Sequence, residues 1–555
     1  MVVSKLLNRC FINGGDNGDD NNGGDDDNNG GDDTTGPQMV VYSIQTPVWL
    51  TNAGISRALF HDRQALGIVL SAGGSISIAQ DATMAVGDLH LDLLGNDTAT
   101  DSTDLIIPAT GEAVTVTAST DSCVPFIQTP FDIDETGVNF TVTAGTAVEL
   151  PVYVSGSGNE AAFFELWDAN SSPYALLEGD SCRVLVPLGD RDALRAMTGF
   201  ESLYGLMNYY DWSVIGSYDD QIGLAVAPAN STDLKPSNKF FIRADISGTE
   251  GAYYTDYWVG FTGASIAPLL TYNSWTALHT IALGYNPSYV EAGMDAAAAT
   301  AALLAVQVEY HTLGDNAADA QGWLWDGNKS TVEAAIFDAL EAGETFDTMV
   351  DVRYSTVMLV VLRQKAGMRA WKHMNQQYRA IFSTDASLTP ASFPYADLML
   401  RYLGEASSFD FVPVLERWGV PYSATQGEAN RTNGYAPAAH LIDTAVAFQQ
   451  LPFISTFFII VTTDELASLG VIGGLAVTFQ ADDVTSLEGQ TLTLNNGPTE
   501  VAAATIASGA ATFADIPIGV YTFGFPDTSA LGIPEENYAI IRGTGSASLI
   551  TFTTA

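Results

Sequence analysis

The stretch that decides the fold is Trp275-Thr-Ala-Leu-His279-Thr280-Ile-Ala-Leu283-Gly-Tyr-Asn286. It opens a region in which apolar residues recur at helical spacing, and His279 and Leu283, four residues apart, fall on one helix face. Helical periodicity continues to about Tyr402, through an alanine-rich run at 292–310 and a second apolar run at 356–382 that fits one or two helices. The centre of the chain is therefore predicted to be mainly helical.

The residues around His279 can be compared with the zinc motif H-E-x-x-H. In that motif two histidines on one helix face hold the ion, and the glutamate between them activates a water molecule. His279 takes the first position, but Thr280 stands at the glutamate position and Leu283 at the second histidine position. Neither replacement can hold zinc or accept a proton from a metal-bound water. The sequence thus predicts no zinc and a function other than proteolysis.

The charge balance is strongly acidic, with 65 Asp and Glu against 21 Lys and Arg and a formal net charge of −44. Charged residues reach only 15% of the chain, against about 25% in an average protein, so the imbalance comes mainly from scarce Lys and Arg. Nucleic acid is not an expected partner, because phosphate contacts need a basic face. A surface with few lysines also loses little side-chain entropy when it packs against another copy of the chain, since each immobilised long side chain costs roughly 0.5–1.5 kcal/mol.

No membrane span is expected, because the most apolar run, Phe453 to Val461, is too short to cross a bilayer. The first twelve residues lack the length and the cleavage site of a secretory signal. An intracellular or virion-associated location is therefore the expectation.

The cysteines Cys10, Cys123 and Cys182 fit no zinc-finger spacing. Cys123 and Cys182 could pair with each other or remain two separate buried thiols. Cys10 is a candidate for an intermolecular disulfide.

Residues 13–36 contain only Gly, Asp and Asn apart from Thr34 and Thr35. Such a segment has no apolar area to offset its ordering entropy, so it is predicted to be a flexible arm. Calcium is the one cofactor that it could bind, although its spacing matches neither an EF-hand nor the calcium-binding nonapeptide repeats. The candidate ligands are Asp16, Asp19, Asp20, Asp25, Asp26, Asp27, Asp32 and Asp33.

The remaining patterns predict a multidomain α+β fold. Short alternating runs broken by Gly, Asn, Asp and Pro are typical of a β-sandwich, a helix is expected from Asp190 through Phe200 and Leu203, and the chain turns irregular beyond Val420. The last segment resembles small prealbumin-like or Cna-B-like sandwiches in its Gly519-Val-Tyr521 theme. The predicted boundaries are an arm at 1–38, a β-sandwich at 39–180, a mixed, mainly helical domain at 181–425, a linking segment at 426–470 and a C-terminal sandwich at 471–555.

Several separate motifs, in order over roughly residues 45 to 425, resemble the enhancin and M60-like gluzincin metallopeptidase family. The segment from Phe240 to Tyr254 is similar to the strand before the family's active site, and Trp258 to Ser265 continues it. Downstream, the matching segments are Met358 to Gln364, Gly367 to Trp371, Tyr378-Arg379, and Phe411 to Pro421. In that family, viral enhancins degrade host mucin.

The resemblance also implies a third zinc ligand, an acid on the next helix, where Glu291 or Asp295 could stand. One imidazole and one carboxylate would leave two protein ligands, whereas a catalytic zinc has three plus water. His311 lies about 24 Å farther along the same predicted helix, too far to complete the set. The vestigial site is thus expected to be inactive, and His279 to be an ordinary histidine with a satisfied hydrogen bond.

The aromatic cluster Tyr253, Tyr254, Tyr257 and Trp258 is the candidate for sugar binding, since aromatic faces and hydroxyl groups suit glycans. The alternative interpretation is a packed core strand.

The leading hypothesis is a non-catalytic viral structural protein that self-assembles as an occlusion-body or particle matrix. It rests on the lost zinc motif, the lysine-poor surface and the arm, with a loose likeness in size and acidity to a nudivirus occlusion-body protein. Acid-rich contacts would then open above about pH 10, where free tyrosine ionises. The alternative is a pseudo-peptidase that binds host mucin or other glycans, and a minor alternative is an active mucin-degrading metallopeptidase.

Overall fold

The computed structural model describes residues 38–84, 87–249, 251–385, 387–444, 458–481 and 484–553. Cys10 and the eight aspartates proposed for calcium lie outside these residues. The chain divides into two compact units. The first comprises the residues up to Pro47, Ala58–Trp212 and Pro236–Ala277, and the second comprises Val48–Arg57, Ser213–Lys235 and Leu278 onward.

The first unit is rich in β-structure, as the alternating runs predict. Its strands are β1 (Gln38–Val41), β2 (Arg63–Ala65), β3 (Ile68–Leu70), β4 (Ser75–Gln80), β5 (Leu89–Leu94), β6 (Ser102–Ile107), β7 (Val114–Thr117), β8 (Val124–Gln128), β9 (Thr136–Ala144), β10 (Ala147–Glu149), β11 (Val152–Val154), β12 (Tyr174–Glu178), β13 (Cys182–Pro187), β14 (Phe240–Asp245), β15 (Ala252–Tyr254) and β16 (Val259–Thr262).

Two antiparallel four-stranded sheets, β1-β9-β4-β7 and β2-β8-β5-β6, enclose one apolar cluster. Alternate residues such as Ile76 and Ile78 point into it and are fully buried, because successive side chains of a strand face opposite sides. A six-stranded mixed sheet, β11-β12-β13-β14-β16-β15, follows. Its inner strands β13 and β14 are buried along their whole length, as expected of parallel neighbours covered on both faces.

The helices are α1 (Val48–Ala53), α2 (Glu160–Asn170), α3 (Arg191–Arg195), α4 (Leu203–Asn208), α5 (Gly216–Gln221), α6 (Trp275–Ala282), α7 (Ala297–Leu313), α8 (Asp315–Gln321), α9 (Lys329–Glu341), α10 (Val352–Ala366), α11 (Met368–Thr384), α12 (Tyr395–Leu398), α13 (Gly404–Ser407), α14 (Val412–Arg417), α15 (Ala424–Thr432), α16 (Leu441–Thr444) and α17 (Thr463–Ala467). A π-helical stretch, Tyr209–Ile215, joins α4 to α5. Among the residues described, no helix combines the length and apolarity needed to cross a bilayer.

The Tyr378-Arg379 motif has a structural use in the second unit. The Arg379 guanidinium is fully buried, forms an ion pair of 2.7 Å with Asp233 and donates to the carbonyl of Ile222 at 2.7 Å. The Tyr378 hydroxyl donates to the carbonyl of Ala53 at 3.0 Å. Buried charges persist only when paired and hydrogen-bonded, so this motif holds separate chain segments of the unit together.

The second unit ends in two four-stranded sheets, β23-β20-β27-β25 and β22-β21-β24-β26, around a common apolar cluster. The three-stranded sheet β17-β18-β19 precedes them. The strands are β17 (Phe409–Asp410), β18 (Ala436–His440), β19 (Ile460–Thr462), β20 (Ile472–Gln480), β21 (Thr491–Asn496), β22 (Thr499–Thr505), β23 (Ala510–Pro517), β24 (Gly519–Gly524), β25 (Ile533–Pro534), β26 (Tyr538–Ile541) and β27 (Ser546–Thr553). The domain boundaries drawn from the sequence stay predictions.

Three secondary-structure expectations were wrong. The helix after Asp190 stops at Arg195, short of Phe200 and Leu203, and Gly199 then passes so close to the Leu270 carbonyl that a Cβ would lie 2.8 Å from its oxygen. The helix expected from residue 292 begins at Ala297, after Gly293 adopts a left-handed φ of +82°. The region beyond Val420 is not irregular, since it forms α15 and β18.

The cysteine alternatives are resolved. Cys123 and Cys182 are both buried free thiols. Cys182 Sγ lies 3.7 Å from a carboxylate oxygen of Asp211, whereas Cys123 belongs to the apolar cluster of the first sandwich.

Candidate functional site

The predicted helix around His279 forms as α6, but it ends at Ala282. Leu283 therefore starts a short 3-10 turn, Leu283–Tyr285, directly after the helix. Thr280 is 3% exposed and its side chain faces the interior. The position that would carry a catalytic glutamate is thus buried.

His279 is half-buried, and its Nε2 lies 3.5 Å from the carbonyl oxygen of Ala298 in the first turn of α7. Burial lowers the pKa of His279, against the smaller opposing effect of this carbonyl. The lowered pKa favours the neutral form of the imidazole.

Glu291 and Asp295 do not stand on the next helix, which corrects the expectation drawn from the family. Glu291 ends the 3-10 turn Ser288–Glu291, and Asp295 lies in the loop before α7. Both side chains are exposed, and the backbone N–H of Asp295 donates to a carboxylate oxygen of Asp347 at 2.9 Å. Within the described part of the chain, no group of three or more His, Cys, Asp or Glu is placed to hold a metal ion. The donor set does not fit the zinc that the fold family implies.

The sugar-binding candidates lie in the first unit, on and after the edge strand β15. The Tyr253 hydroxyl donates to a carboxylate oxygen of Asp245, and burial, helped by that carboxylate, raises the pKa of Tyr253 to about 12. The Tyr254 hydroxyl accepts from the backbone N–H of Ala58 at 2.9 Å, and its ring stacks on His61 at 5.0 Å. Both tyrosines therefore make their contacts with neighbouring residues of the first unit.

Trp258 is also held by neighbours. The guanidinium carbons of Arg243 and Arg63 lie 5.3 and 5.9 Å from its ring centroid, and its indole N–H donates to the Tyr253 hydroxyl at 3.4 Å. The fully buried arginines and the indole thus form a cation–π layer beneath the loop.

Tyr257 differs from the other three candidates because it is 47% exposed. Its ring centroid lies 6.2 Å from that of Phe60, also 47% exposed, and Phe60 meets Phe131 edge-on at 6.2 Å. We call Phe60, Phe131 and Tyr257 the aromatic patch. Sequence reasoning missed both phenylalanines, because each is an isolated aromatic residue in a loop far from Tyr257 along the chain.

No family model matches the chain. The sequence is 22% identical over 522 residues to the viral-enhancing factor of Heliothis armigera granulosis virus, covering 88% of this chain and 55% of the relative. The chain therefore spans about half the length of the curated relatives that it matches.

Solved structures share the fold. A functionally unknown conserved protein from Bacillus anthracis, solved as a mutant, matches with a TM-score of 0.58 and 11% identity, over 92% of this chain and 100% of that chain. The M60 catalytic domain of Clostridium perfringens ZmpC, solved in complex with the sialyl T antigen, matches with a TM-score of 0.56 and 10% identity, over 88% and 97%. The resemblance to the enhancin and M60-like family is therefore confirmed, in sequence by the viral-enhancing factors and in fold by the M60-type metallopeptidases.

Proposed function

We propose that this chain is a non-catalytic relative of the M60-type metallopeptidases that binds mucin-type O-glycans. The observation that carries the proposal is the donor set on and after α6. A single neutral imidazole is flanked by a buried threonine and by a leucine outside the helix. Such a set cannot hold a hydrolytic zinc. We therefore propose that the chain binds a glycan without cleaving a peptide.

The aromatic patch supports glycan binding. Two neighbouring rings, each with nearly half of its surface exposed and tilted by 35° to the other, offer an exposed apolar surface, and the Tyr257 hydroxyl can hydrogen-bond a sugar hydroxyl. A structural neighbour of similar fold was solved with the sialyl T antigen, a mucin-type glycan. The fold is thus compatible with this class of ligand.

Titration calorimetry with the neutral T-antigen disaccharide tests the proposal. Tyr257→Ala and Phe60→Ala should each weaken binding about tenfold, the effect of losing one aromatic contact of roughly 1.4 kcal/mol. Tyr204→Ala is the matched control, since Tyr204 is 54% exposed and lies outside the patch. Equal affinities of the three variants and the parent protein would remove the patch from the proposal.

A metal assay and a cleavage assay test the loss of catalysis. Purified protein incubated with Zn²⁺ and then desalted should retain less than stoichiometric zinc, and an O-glycopeptide should remain intact. Stoichiometric zinc that disappears in His279→Ala, together with peptide cleavage, would contradict the proposal.

Self-association is a second candidate function, favoured by the C-terminal part of the chain. No Lys or Arg occurs between Arg431 and Arg542, and Ile533 and Leu549 on the terminal sheets are 71% and 50% exposed. A lysine-free surface orders at low entropic cost. Light scattering across a concentration series should show a rise in mass that Leu549→Lys abolishes, and a constant monomer mass would exclude this candidate. The occlusion-body role remains a prediction.

A further inference from the structure

A groove of about 520 Å³ runs along the exposed side of α11. Its lining comes from one face of that helix and consists of Met368, Arg369, Lys372, His373 and Gln376. These residues recur at three- and four-residue spacing, which stacks their side chains along one face. The groove belongs to the second unit and contains none of the residues discussed above as a glycan or zinc site.

The charge of the groove is opposite to that of the chain. Lys372 pairs with Asp220 at 2.6 Å, while Glu405 lies 3.3 Å from Arg401 and 3.8 Å from His373. Lys372 and Arg401 are thus each paired with a carboxylate. Arg369, the third permanent cation, is exposed and has no carboxylate within ion-pair distance among the described residues. One positive charge therefore remains, before any contribution from His373, in a chain of net charge −44.

We infer that this groove binds the acidic group of a glycan, a sialate carboxylate or a sulfate, with Arg369 as its main contact. A guanidinium presents paired N–H donors that match the two oxygens of such a group. Gln376 can hydrogen-bond sugar hydroxyls, and Met368 offers an apolar contact for the ring. The inference rests on the proposed glycan binding and adds that acidic glycans are preferred.

The overall charge makes such a site necessary for that preference. Acidic glycans are repelled by a strongly anionic protein, and salt screens this repulsion beyond roughly 8 Å at physiological ionic strength. A local cationic groove can then act at short range, where the Arg369 contact is made.

The test compares 3′-sialyllactose, 6-sulfated lactose and neutral lactose by calorimetry on the full chain at physiological ionic strength. The parent protein should bind at least one acidic sugar about tenfold more tightly than lactose, and Arg369→Glu should remove that preference. The preference for the carboxylate or for the sulfate then identifies the acidic group. Arg542→Glu is the matched control, because Arg542 is 54% exposed and follows strand β26, outside the lining of the groove.

The outcomes separate this inference from the proposed function. Equal affinity for all three sugars, with binding lost in Tyr257→Ala, would contradict acidic-glycan binding in the groove and support glycan binding by the aromatic patch. A preference for acidic sugars that vanishes in Arg369→Glu and persists in Tyr257→Ala would support the groove alone. A preference unaffected by Arg369→Glu would also overturn the inference, and unchanged thermal unfolding of the variant would show that it is folded.

Discussion

Glu309 on α7 is a buried carboxyl group whose protonation should couple folding to pH. It is 4% exposed and accepts hydrogen bonds from the backbone N–H of Trp323 at 3.1 and 3.3 Å. Burial raises its pKa to about 7, against the smaller effect of the Trp323 N–H, whereas an unfolded chain has a Glu pKa near 4.3. The folded state holds the proton more tightly, so the free energy of unfolding falls as pH rises from about 4.3 to 7.

Glu309→Gln should remove this pH dependence, because the amide keeps an acceptor for Trp323 and never ionises. At pH 8 the variant should be more stable than the parent protein by about 1–3 kcal/mol, and near pH 4.5 the two should converge. Urea unfolding at both pH values measures the difference. Parallel pH profiles would show that Glu309 does not titrate in this range.

The titration of His440 has the opposite effect, since it lowers folding stability as pH falls. Its Nε2 accepts from the Trp418 indole N–H at 2.8 Å, and its Nδ1 lies 2.7 Å from the carbonyl oxygen of Phe458, to which it must donate. Burial lowers the pKa of His440 to about 4, so the unfolded chain, with a His pKa near 6.5, binds the proton first as pH falls. The free energy of unfolding should therefore drop by about 2 kcal/mol between pH 7 and pH 5.

His440→Gln tests this assignment by its slope rather than by its absolute stability. The variant loses packing at every pH, but its unfolding free energy should change between pH 7 and pH 5 by about 2 kcal/mol less than that of the parent protein. Unfolding curves at pH 5, 6, 7 and 8 supply the comparison. An unchanged slope would mean that the imidazole is protonated in the folded protein.

At the scale of elements, α10 and α11 show how one glycine ends a helix. The sequence allowed one or two helices, and the structure has two, separated by Gly367 at φ +88°. A Cβ there would meet no atom within 4 Å, so only the backbone conformation requires glycine. Gly367→Ala should cost about 1–2 kcal/mol, measured by chemical unfolding. Gly189→Ala is the control, because it has equal space without a left-handed φ, and it should change stability by less than about 0.5 kcal/mol.

The edge strand β15 and the loop after it show why sequence could not choose among the aromatic residues. Tyr253, Tyr254, Tyr257 and Trp258 look equivalent along the chain. Contacts with Asp245, with the Ala58 backbone and with Arg243 occupy three of them. Phe60 joins Tyr257 only through the tertiary fold, so no local pattern could have indicated the aromatic patch.

At the scale of the whole molecule, buried tyrosines predict a loss of folding stability at alkaline pH, whereas the alkaline release of an assembly stays a prediction. Burial raises the pKa of Tyr42, Tyr174, Tyr253 and Tyr521 to about 12. These phenols stay protonated in the folded protein while unfolded tyrosines ionise near pH 10. The free energy of unfolding should therefore fall as pH rises from about 10 towards 12.

Absorbance at 295 nm, which follows phenolate formation, checks this expectation. The native protein should show a group of tyrosines that ionise about two pH units later than in 8 M urea, because only folding buries them. Coincident titrations of native and unfolded protein would contradict it. Self-assembly, tested by light scattering over the same pH range, remains a separate prediction.

The sequence by itself determined the family resemblance, the α+β class and the replacement of two zinc-motif residues, because these depend on residue type and short-range spacing. In any fold, Leu283 cannot supply the second histidine ligand of the zinc motif and Thr280 cannot supply its general base. Only the tertiary structure decided where Glu291 and Asp295 lie, that Thr280 is buried, and which aromatic residues face solvent. Those properties arise from contacts between segments far apart in the chain, such as Tyr257 with Phe60, and from burial, which sets hydrogen bonds and pKa values only once the chain is packed.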